Sequence, residues 1–590
     1  MLEAGCDLEG TRTLAAVPSP PRAVPASLHA SLMARLDRLG PAKEVAQMGA
    51  AIGRDFSNAL LAAVTDKPDA ELGSALDRLI AAGLLFPQGA PPHATYLFKH
   101  ALVQDAAYST LLREPRRTLH ARIAETIESK FAEIAKARPE LLARHCTEAG
   151  LTERAVGLWG TAGQRSLEQS ALVEAVEQWT RALAQIATLP ATPALRREEI
   201  KVQVAIINPL SVVKGYAAPE TKIALKRAHQ LIEKAEMLGD PPIDMLWLFS
   251  VLYGTWNANF VAFDGDVVGE LAAQFLALAE KQGATVPLMV GHRMLGTTHA
   301  FMGEFEEARA HYTQALALYN SVEHRPLAAQ FGQDTRVTVL SWRALVSWVL
   351  GYPEEAVADT HSALKYAREF GQAASLMLAL GVTSLTHILC GNYATANACA
   401  DELVALTEEK GAFLWKAWGM SDQGSLLALT GKAADAVQMI ASGITAIRST
   451  GAQRSMPLYL SYLARAYAEL GQFDDARRSI EEAMKAVSAT KETLCEAEVH
   501  RVAGEVALTS HEPDAAKAEM HFERALAVAR EQKAKSWELR AAMSMARLRR
   551  DQGKRDEARQ ILAPVYAWFT EGFDTLDLKR AKALLDELAQ

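Results

Sequence analysis

Cysteine is scarce in this sequence of 590 residues, and the few cysteines lie far apart. The five are Cys6, Cys146, Cys390, Cys399 and Cys495, and no two of them form a C-x-x-C pair. Isolated cysteines in an odd number indicate neither a disulfide framework nor a zinc site. The pattern predicts reduced, buried thiols in a cytoplasmic protein.

Long apolar runs without polar interruption are also missing. The two most apolar windows, residues 243–263 and 376–390, contain Asp244, Asn257 and His387. A helix that crosses a bilayer needs about 20 mostly apolar residues, so we expect both windows to be buried helices and expect no membrane partner. The start of the chain also lacks the basic-then-apolar order of a signal peptide, which favours a cytoplasmic location.

Neither sign of charge dominates. The net charge of −8 is spread along the chain and does not indicate nucleic acid as a main partner. One basic cluster contains Arg113, Arg116, Arg117 and Arg122, but acidic residues such as Glu114 dilute it. Binding of nucleic acid is therefore not expected.

Catalytic motifs are absent from the sequence. It has no G-x-x-x-x-G-K-[ST] phosphate loop, no H-E-x-x-H, no G-x-S-x-G and no Cys/His group at zinc spacing. Paired carboxylates such as Glu354 and Glu355 fall in the first turn of a predicted helix, where they complement the helix dipole. We therefore predict a protein that is not an enzyme and that takes no cofactor or metal.

The sequence does contain a repeat of about 40 residues. Seven turn residues mark it: Gly303, Gly351, Gly391, Gly431, Gly471, His511 and Gly553. Each is followed by an alanine five positions later and preceded by a small residue seven positions earlier. Small residues on both helices of a hairpin let the helices approach closely, and glycine suits a left-handed helix end. The pattern resembles the tetratricopeptide repeat. The usual period of that repeat is about 34 residues, so the units here are expected to have longer helices.

These observations predict an all-α fold, a tetratricopeptide-like α-solenoid preceded by a small winged-helix-like domain. The predicted divisions are a Pro/Ala-rich linker over 1–26, the winged-helix-like domain over 27–135, degenerate helical repeats over 140–285, seven tetratricopeptide-like repeats over 286–573 and a capping helix over 574–590. Residues 84–86 and 96–98 flank a turn-rich segment and are predicted to form a two-stranded wing.

Three segments carry a more specific resemblance: residues 31–39, 49–56 and 96–120. They resemble the region that follows the nucleotide-binding core in bacterial signalling ATPases of the AAA/STAND kind. Within that group they are most similar to proteins that join a class III adenylate cyclase domain, such an ATPase and C-terminal tetratricopeptide repeats. Residues 534–585 resemble the end of the same proteins, so the resemblance covers nearly the whole chain.

The cyclase domain, the phosphate loop and the acidic metal-binding motif of these proteins are absent from this sequence. The resemblance places His100 where a histidine can approach a nucleotide, which makes it a weak nucleotide-sensing candidate. Its simpler role is that of a histidine at a helix start with a local hydrogen bond. His120 is expected to be a packing residue.

The resemblance also implies a binding surface, because the first helices (A helices) of tetratricopeptide hairpins line a concave groove that binds proteins, peptides or small effectors. Positions ten and six before each turn residue share one helix face. The groove candidates at these positions are Arg293, Ser341, Ser421, Arg465, Arg501, Glu505 and Arg547. We expect the arginines to bind an acidic group of a partner; the alternative is a solvated face that binds nothing.

The function predicted from the sequence is a non-catalytic interaction or sensor scaffold of an ATPase–adenylate cyclase signalling system, with a protein, a peptide or a small-molecule effector as partner. One alternative is part of a LuxR-type ATPase transcriptional regulator, although no helix-turn-helix is evident after residue 550. Another is a fragment of an active adenylate cyclase, which would need residues that this sequence does not contain.

Overall fold

A computed structural model describes residues 26–65, 67–90 and 93–590. Almost all of the predicted linker, together with Cys6, lies outside the described residues. The chain divides into two compact units, one ending at Leu158 and one running over Trp159–Gln590.

The first unit contains eight helices among its described residues. They are α1 Ala26–Asp37, α2 Ala42–Ile52, α3 Asn58–Val64, α4 Asp69–Ala81, α5 Ala101–Ser109, α6 Arg113–Lys130, α7 Ala132–Ala137 and α8 Pro139–Ala149. The unit extends beyond residue 135, where the predicted domain ends, because α8 packs against α6. Helix α9 (Thr152–Glu168) contains the division between the two units.

A small antiparallel sheet accompanies these helices. Its strands are β1 Asp55–Ser57, β2 Leu85–Gln88 and β3 Thr95–Phe98, in the order β1-β3-β2. The β2–β3 hairpin lies where the sequence predicts the wing, whereas β1 was not predicted. Three residues are too few to show the alternation that marks a strand. Buried Phe56 anchors β1, because its ring packs against those of Tyr96 and Phe98 with centroids 5.8 and 5.7 Å away.

The second unit consists of antiparallel helix pairs. After α9 come α10 Leu172–Ile186, α11 Pro193–Lys214, α12 Pro219–Met237, α13 Met245–Ala262 and α14 Gly265–Gln282. Seven pairs then follow over 285–568: α15 Thr285–Phe301 with α16 Phe305–Ala317, α18 Thr335–Leu350 with α19 Pro353–Phe370, α20 Ala373–Cys390 with α21 Tyr393–Lys410, α22 Phe413–Leu429 with α23 Ala433–Ser449, α24 Met456–Glu469 with α25 Phe473–Thr490, α26 Glu496–Thr509 with α27 Ala515–Glu531, and α28 Lys535–Asp551 with α29 Arg555–Trp568. The chain ends with α30, Leu576–Leu588.

The predicted solenoid is confirmed, and one insertion explains its irregular step. The short helix α17 (Ser321–His324) and a 3-10 turn (Arg325–Ala329) stand between α16 and α18, which lengthens the spacing from Gly303 to Gly351. Gly303 and Gly471 adopt φ angles of 78° and 73°, the left-handed conformation that favours glycine. His511 is not among the residues with positive φ, so the turn after α26 has a different conformation.

Helices far apart in the sequence are joined through their ends. The backbone N–H groups of Gln453 and Arg454 donate to Val261 O, and that of Thr493 donates to Phe301 O. These carbonyls lie in the last turns of α13 and α15, where a helix leaves its carbonyls without intrahelical partners. Ser536 likewise donates to Trp348 O at the end of α18, 188 residues earlier in the chain. The C-terminal ends of α13, α15 and α18 are thus each capped by a segment about five repeats later in the chain.

This winding covers the inner faces of the central A helices. Nearly every residue of α18 and α20 is buried. Within the described part of the chain, α20 is also the one helix long and apolar enough to cross a membrane, and 83% of its apolar window is buried inside the protein. Burial in the array therefore accounts for the apolar character of α20.

Candidate functional site

Arg293, the first of the groove candidates, lies in the interior. Its side chain on α15 is 1% exposed. The guanidinium donates to Gln333 O at 3.1 Å, to Thr335 Oγ1 at 3.2 Å and to Phe331 O at 3.3 Å. Arg293 therefore fastens the segment before α18 to α15, and the expectation that it faces a partner across an open groove is wrong for this structure.

Ser341 and Ser421 are also buried rather than placed on an open face. Each hydroxyl donates to a carbonyl one turn earlier in its own helix: Ser341 to Val337 O at 2.8 Å, and Ser421 to Ala417 O at 2.9 Å. Ser421 also marks a close helix approach, because a Cβ added to Gly443 on α23 would lie 2.2 Å from its Oγ. These two serines act in helix packing, so their predicted place in a groove is wrong.

Arg501 is bound by acidic residues of its own unit. Its Nε and one terminal nitrogen donate to the two carboxylate oxygens of Glu498, both at 2.7 Å, and the other terminal nitrogen pairs with Glu505. Burial alone would raise the pKa of Glu498, but Arg501 and Arg540 outweigh it and hold this pKa at about 2. Arg540 also donates to Asp577 at 2.6 Å. Because Arg501 already has two carboxylate partners, it is not available for a third from outside.

The remaining candidates lie near the C-terminal end of the array and are more accessible. Arg465 on α24, Glu505 on α26 and Arg547 on α28 occupy equivalent positions of successive A helices, and each is partly exposed. We call these three residues the C-terminal face. Arg465 and Arg547 make no ion pair or hydrogen bond with any residue that the structure describes. Burial, opposed in part by Glu505, lowers the pKa of Arg547.

A second cluster of polar groups lies deeper, around Arg454. This residue precedes α24, is 7% exposed, and its guanidinium lies 4.3 Å from the ring centroid of Trp418, 4.9 Å from that of Phe260 and 5.3 Å from that of Trp342. A small cavity of about 30 Å³ touches both Arg454 and Arg293. We call the cavity with its two arginines and these rings the arginine chamber.

Aromatic faces stabilise the Arg454 cation only in part. Each cation–π contact contributes on the order of 1–2 kcal/mol when it is desolvated, whereas burying an unpaired charge costs several kcal/mol. Burial lowers the pKa of Arg454 to about 10, and Glu492 opposes that shift. The repeat pattern gives no sign of this residue, because Arg454 lies between the second helix of one hairpin (its B helix, α23) and the A helix of the next hairpin (α24), outside the periodic positions.

In the first unit, His100 is exposed at the start of α5, and its side chain makes no capping hydrogen bond, whereas its backbone carbonyl accepts the Val103 N–H at 2.9 Å. His120 is buried. Its ring nitrogens lie 2.9 Å from the Tyr108 hydroxyl and 2.8 Å from His145 Nδ1. Burial lowers the pKa of His120 to about 4 and that of His145 to about 3, so both rings are neutral at pH 7.

The described cysteines, Cys146, Cys390, Cys399 and Cys495, are buried and unpaired. Burial raises the pKa of each thiol, to about 11 for Cys399 and about 12 for Cys390. Among the residues that the structure describes, no group of three or more His, Cys, Asp or Glu side chains is arranged to hold a metal ion.

Two stretches of the second unit match the sequence profile of the tetratricopeptide repeat, residues 293–323 and residues 457–482. The first overlaps α15 and α16, and the second overlaps α24 and α25. The second unit is a tetratricopeptide-like solenoid. The arginine chamber and the C-terminal face both lie in this unit.

An uncharacterised protein of Rhizobium meliloti (strain 1021) is 24% identical to the chain over 483 residues. The match covers 80% of the chain but only 45% of that relative's length, so the chain spans less than half of the curated relative that it matches.

Solved structures resemble the solenoid at low sequence identity. A Rap protein complexed with competence and sporulation factor has a TM-score of 0.45 at 11% identity, covering 66% of this chain and 99% of that one. A signal transduction ATPase with numerous domains and a tetratricopeptide repeat sensor, from Pyrococcus horikoshii, has a TM-score of 0.27 at 12% identity, covering 93% of this chain and 64% of that one. These likenesses concern the helical-repeat fold.

Proposed function

We propose that this protein is a non-catalytic sensor or scaffold that binds an acidic segment of a protein or peptide at the C-terminal face. The observation that carries the proposal is the pair Arg465 and Arg547. Both are partly buried guanidinium groups without a carboxylate partner among the described residues. Most other arginines of the inner helices, such as Arg501 and Arg540, are held by ion pairs.

Charge and geometry support an acidic partner. A guanidinium binds a carboxylate through two parallel hydrogen bonds, and partial burial strengthens each of them. Glu505 lies between the two arginines in helix order, and Arg501 engages it, so it does not neutralise Arg465 or Arg547 through a direct contact. The C-terminal face is therefore locally basic in a chain whose net charge is −8.

The signalling context in this proposal is that of an ATPase–adenylate cyclase system in the cytoplasm. It rests on the resemblance carried by residues 96–120 and 534–585. The proposal that the chain itself neither catalyses a reaction nor holds a cofactor rests on the missing phosphate loop and metal-binding motif. Calorimetry with magnesium ATP tests this part: we expect no heat of binding, and measurable affinity would contradict it.

The partner site is tested with a fluorescein-labelled hexaglutamate peptide, followed by anisotropy at low ionic strength. We expect Arg465→Ala with Arg547→Ala to weaken binding by about tenfold or more, since each charge-assisted hydrogen bond contributes roughly 1.5–3 kcal/mol. Arg448→Ala is the matched control, because Arg448 is exposed on the B helix α23 and is paired with Glu482.

A hexaglutamine peptide controls for contacts that do not involve charge and is expected not to bind. Equal losses of affinity in the Arg448 variant and the double variant would show general charge attraction, and the C-terminal face would then be rejected as the binding site.

A further inference from the structure

The arginine chamber presents hydrogen-bond donors that lack acceptors. Arg454 Nε and Trp418 Nε1 are both buried, both residues line the cavity, and neither atom has a hydrogen-bond partner among the described residues. Buried polar atoms in proteins are nearly always hydrogen-bonded. Two such donors at one cavity therefore indicate an occupant that accepts hydrogen bonds.

The charges around the cavity point to an anion. Arg293 donates only to neutral oxygens, and the Arg454 side chain makes no ion pair with a described residue. The acidic group that acts most strongly on Arg454 is Glu492, whose two carboxylate oxygens accept the Ser455 N–H at 2.9 and 3.0 Å. Burial raises the pKa of Glu492 to about 8. The chamber thus holds two guanidinium groups, and no carboxylate of the described residues forms an ion pair with either of them.

The size of the cavity limits the occupant. A cavity needs roughly 10–15 Å³ to hold one water molecule, and the chamber has about 30 Å³. Chloride or formate fits this space, whereas a benzoate or gluconate ion does not.

We propose that the arginine chamber binds one small monovalent anion, of the size of chloride or formate, through Arg454, Arg293 and the indole N–H of Trp418. This site is separate from the C-terminal face and does not depend on the acidic partner proposed there. Because the chamber is lined by α13, α15, α18, α22 and the segment before α24, the bound anion stabilises the winding of the array. Anion binding and array stability are thereby coupled.

The proposal is tested on the full chain purified in gluconate buffer. Chloride or formate replaces gluconate at constant ionic strength, while tryptophan emission and the midpoint of thermal unfolding are recorded. Trp256, Trp342, Trp415 and Trp418 all line the cavity, so binding is expected to change the emission. We expect both signals to saturate with a single dissociation constant. Tighter binding of formate would identify a small carboxylic acid as the ligand class, and tighter binding of chloride an inorganic ion.

Two variants test the residues. Trp418→Phe keeps a ring beside Arg454 but removes the N–H, and is expected to weaken binding about tenfold through loss of one hydrogen bond to an anion. Arg454→Met is expected to abolish the saturable response. Arg448→Met and Trp568→Phe, at exposed positions, are controls that should respond as the wild type does.

If Arg454→Met does not fold, the wild-type titration and Trp418→Phe still decide the question. The proposal would be overturned if the wild-type signals do not saturate with chloride or formate. It would also be overturned if replacing gluconate by these anions changes neither the tryptophan emission nor the unfolding midpoint. Unchanged dissociation constants in Trp418→Phe would overturn it as well.

Discussion

Asp422 and Glu492 are two carboxylic acids buried inside the second unit. Asp422 accepts the Tyr459 hydroxyl at 3.1 Å, and Glu492 accepts the Ser455 N–H. Burial raises the pKa of Asp422 to about 7 and that of Glu492 to about 8, and the hydrogen bonds oppose this only in part. In the unfolded chain the same groups titrate near 3.8 and 4.5. Between about pH 4 and pH 8 the folded protein therefore binds more protons at these two groups than the unfolded chain does.

This difference in bound protons makes the stability of the protein depend on pH through Asp422 and Glu492. The free energy of unfolding contributed by these two groups is greatest below pH 4 and falls as the pH rises to about 8. Asp422→Asn and Glu492→Gln remove this loss, so each is expected to be more stable than the wild type at pH 8, by on the order of 4 kcal/mol, and equal to it at the acid end. Urea unfolding across this range measures the difference.

The control for this test is Glu482→Gln, since Glu482 is a half-exposed carboxylate paired with Arg448. It should leave the pH dependence unchanged. A constant difference between wild type and the Asp422 variant at all pH values would show that burial does not shift this carboxyl.

At the scale of the helix pair, small residues permit an aromatic ring to fill the space between two helices. A Cβ added to Gly504 on α26 would lie 2.4 Å from the Phe522 ring on α27, and one added to Gly296 on α15 would lie 2.7 Å from the Tyr312 ring on α16. The small residue seven positions before the turn is therefore a packing requirement, and it explains why the sequence repeats it.

Gly504→Ala is accordingly expected to destabilise the protein by about 1–3 kcal/mol, because the added methyl group overpacks the hairpin. The matched control is Gly269→Ala in α14, where the nearest atom to the added Cβ is Met302 Sδ at 4.0 Å. That change should stabilise by roughly 0.5–1 kcal/mol, as alanine does within helices. Urea midpoints compare the two, and a neutral Gly504 variant would contradict the close approach.

At the scale of the whole second unit, the array is held by contacts between helices distant in sequence. Trp537 on α28 packs edge-on against Trp348 on α18, with ring centroids 4.7 Å apart, and its Nε1 donates to Leu494 O at 3.1 Å. The ring contact joins two repeats that are not neighbours in the sequence, whereas the 40-residue period predicts contacts only between neighbouring repeats.

Trp537→Ala is expected to speed amide hydrogen exchange at the C-terminal end of α18 as well as in α28, because removing a buried tryptophan costs about 3–5 kcal/mol. Phe413→Ala, which changes a half-exposed ring on α22, is the control and should leave α18 unchanged. Faster exchange confined to α27, α28 and α29 would show that the contact with α18 contributes no stability.

The parts of the structure predicted from sequence are those with local causes. The turn glycines and the small residues of each hairpin fix where A and B helices begin and end, and the structure has its seven pairs where the repeat predicts them. Within the candidate site, Arg465 and Arg547 lie at equivalent positions of α24 and α28, as the 40-residue register implies, and their role in binding stays a prediction. Strand β1 and Arg454 have no periodic signal and were not predicted.

The sequence by itself determined the repeat unit, because a helix end and a close helix pair depend on residues within one period. Only the tertiary structure decided which inner positions meet solvent. That outcome depends on the rotation between successive repeats, which accumulates along the array and brings Ser536 to Trp348, 188 residues earlier. The winding buries Arg293, Ser341 and Ser421 and encloses Arg454, while the C-terminal face stays accessible.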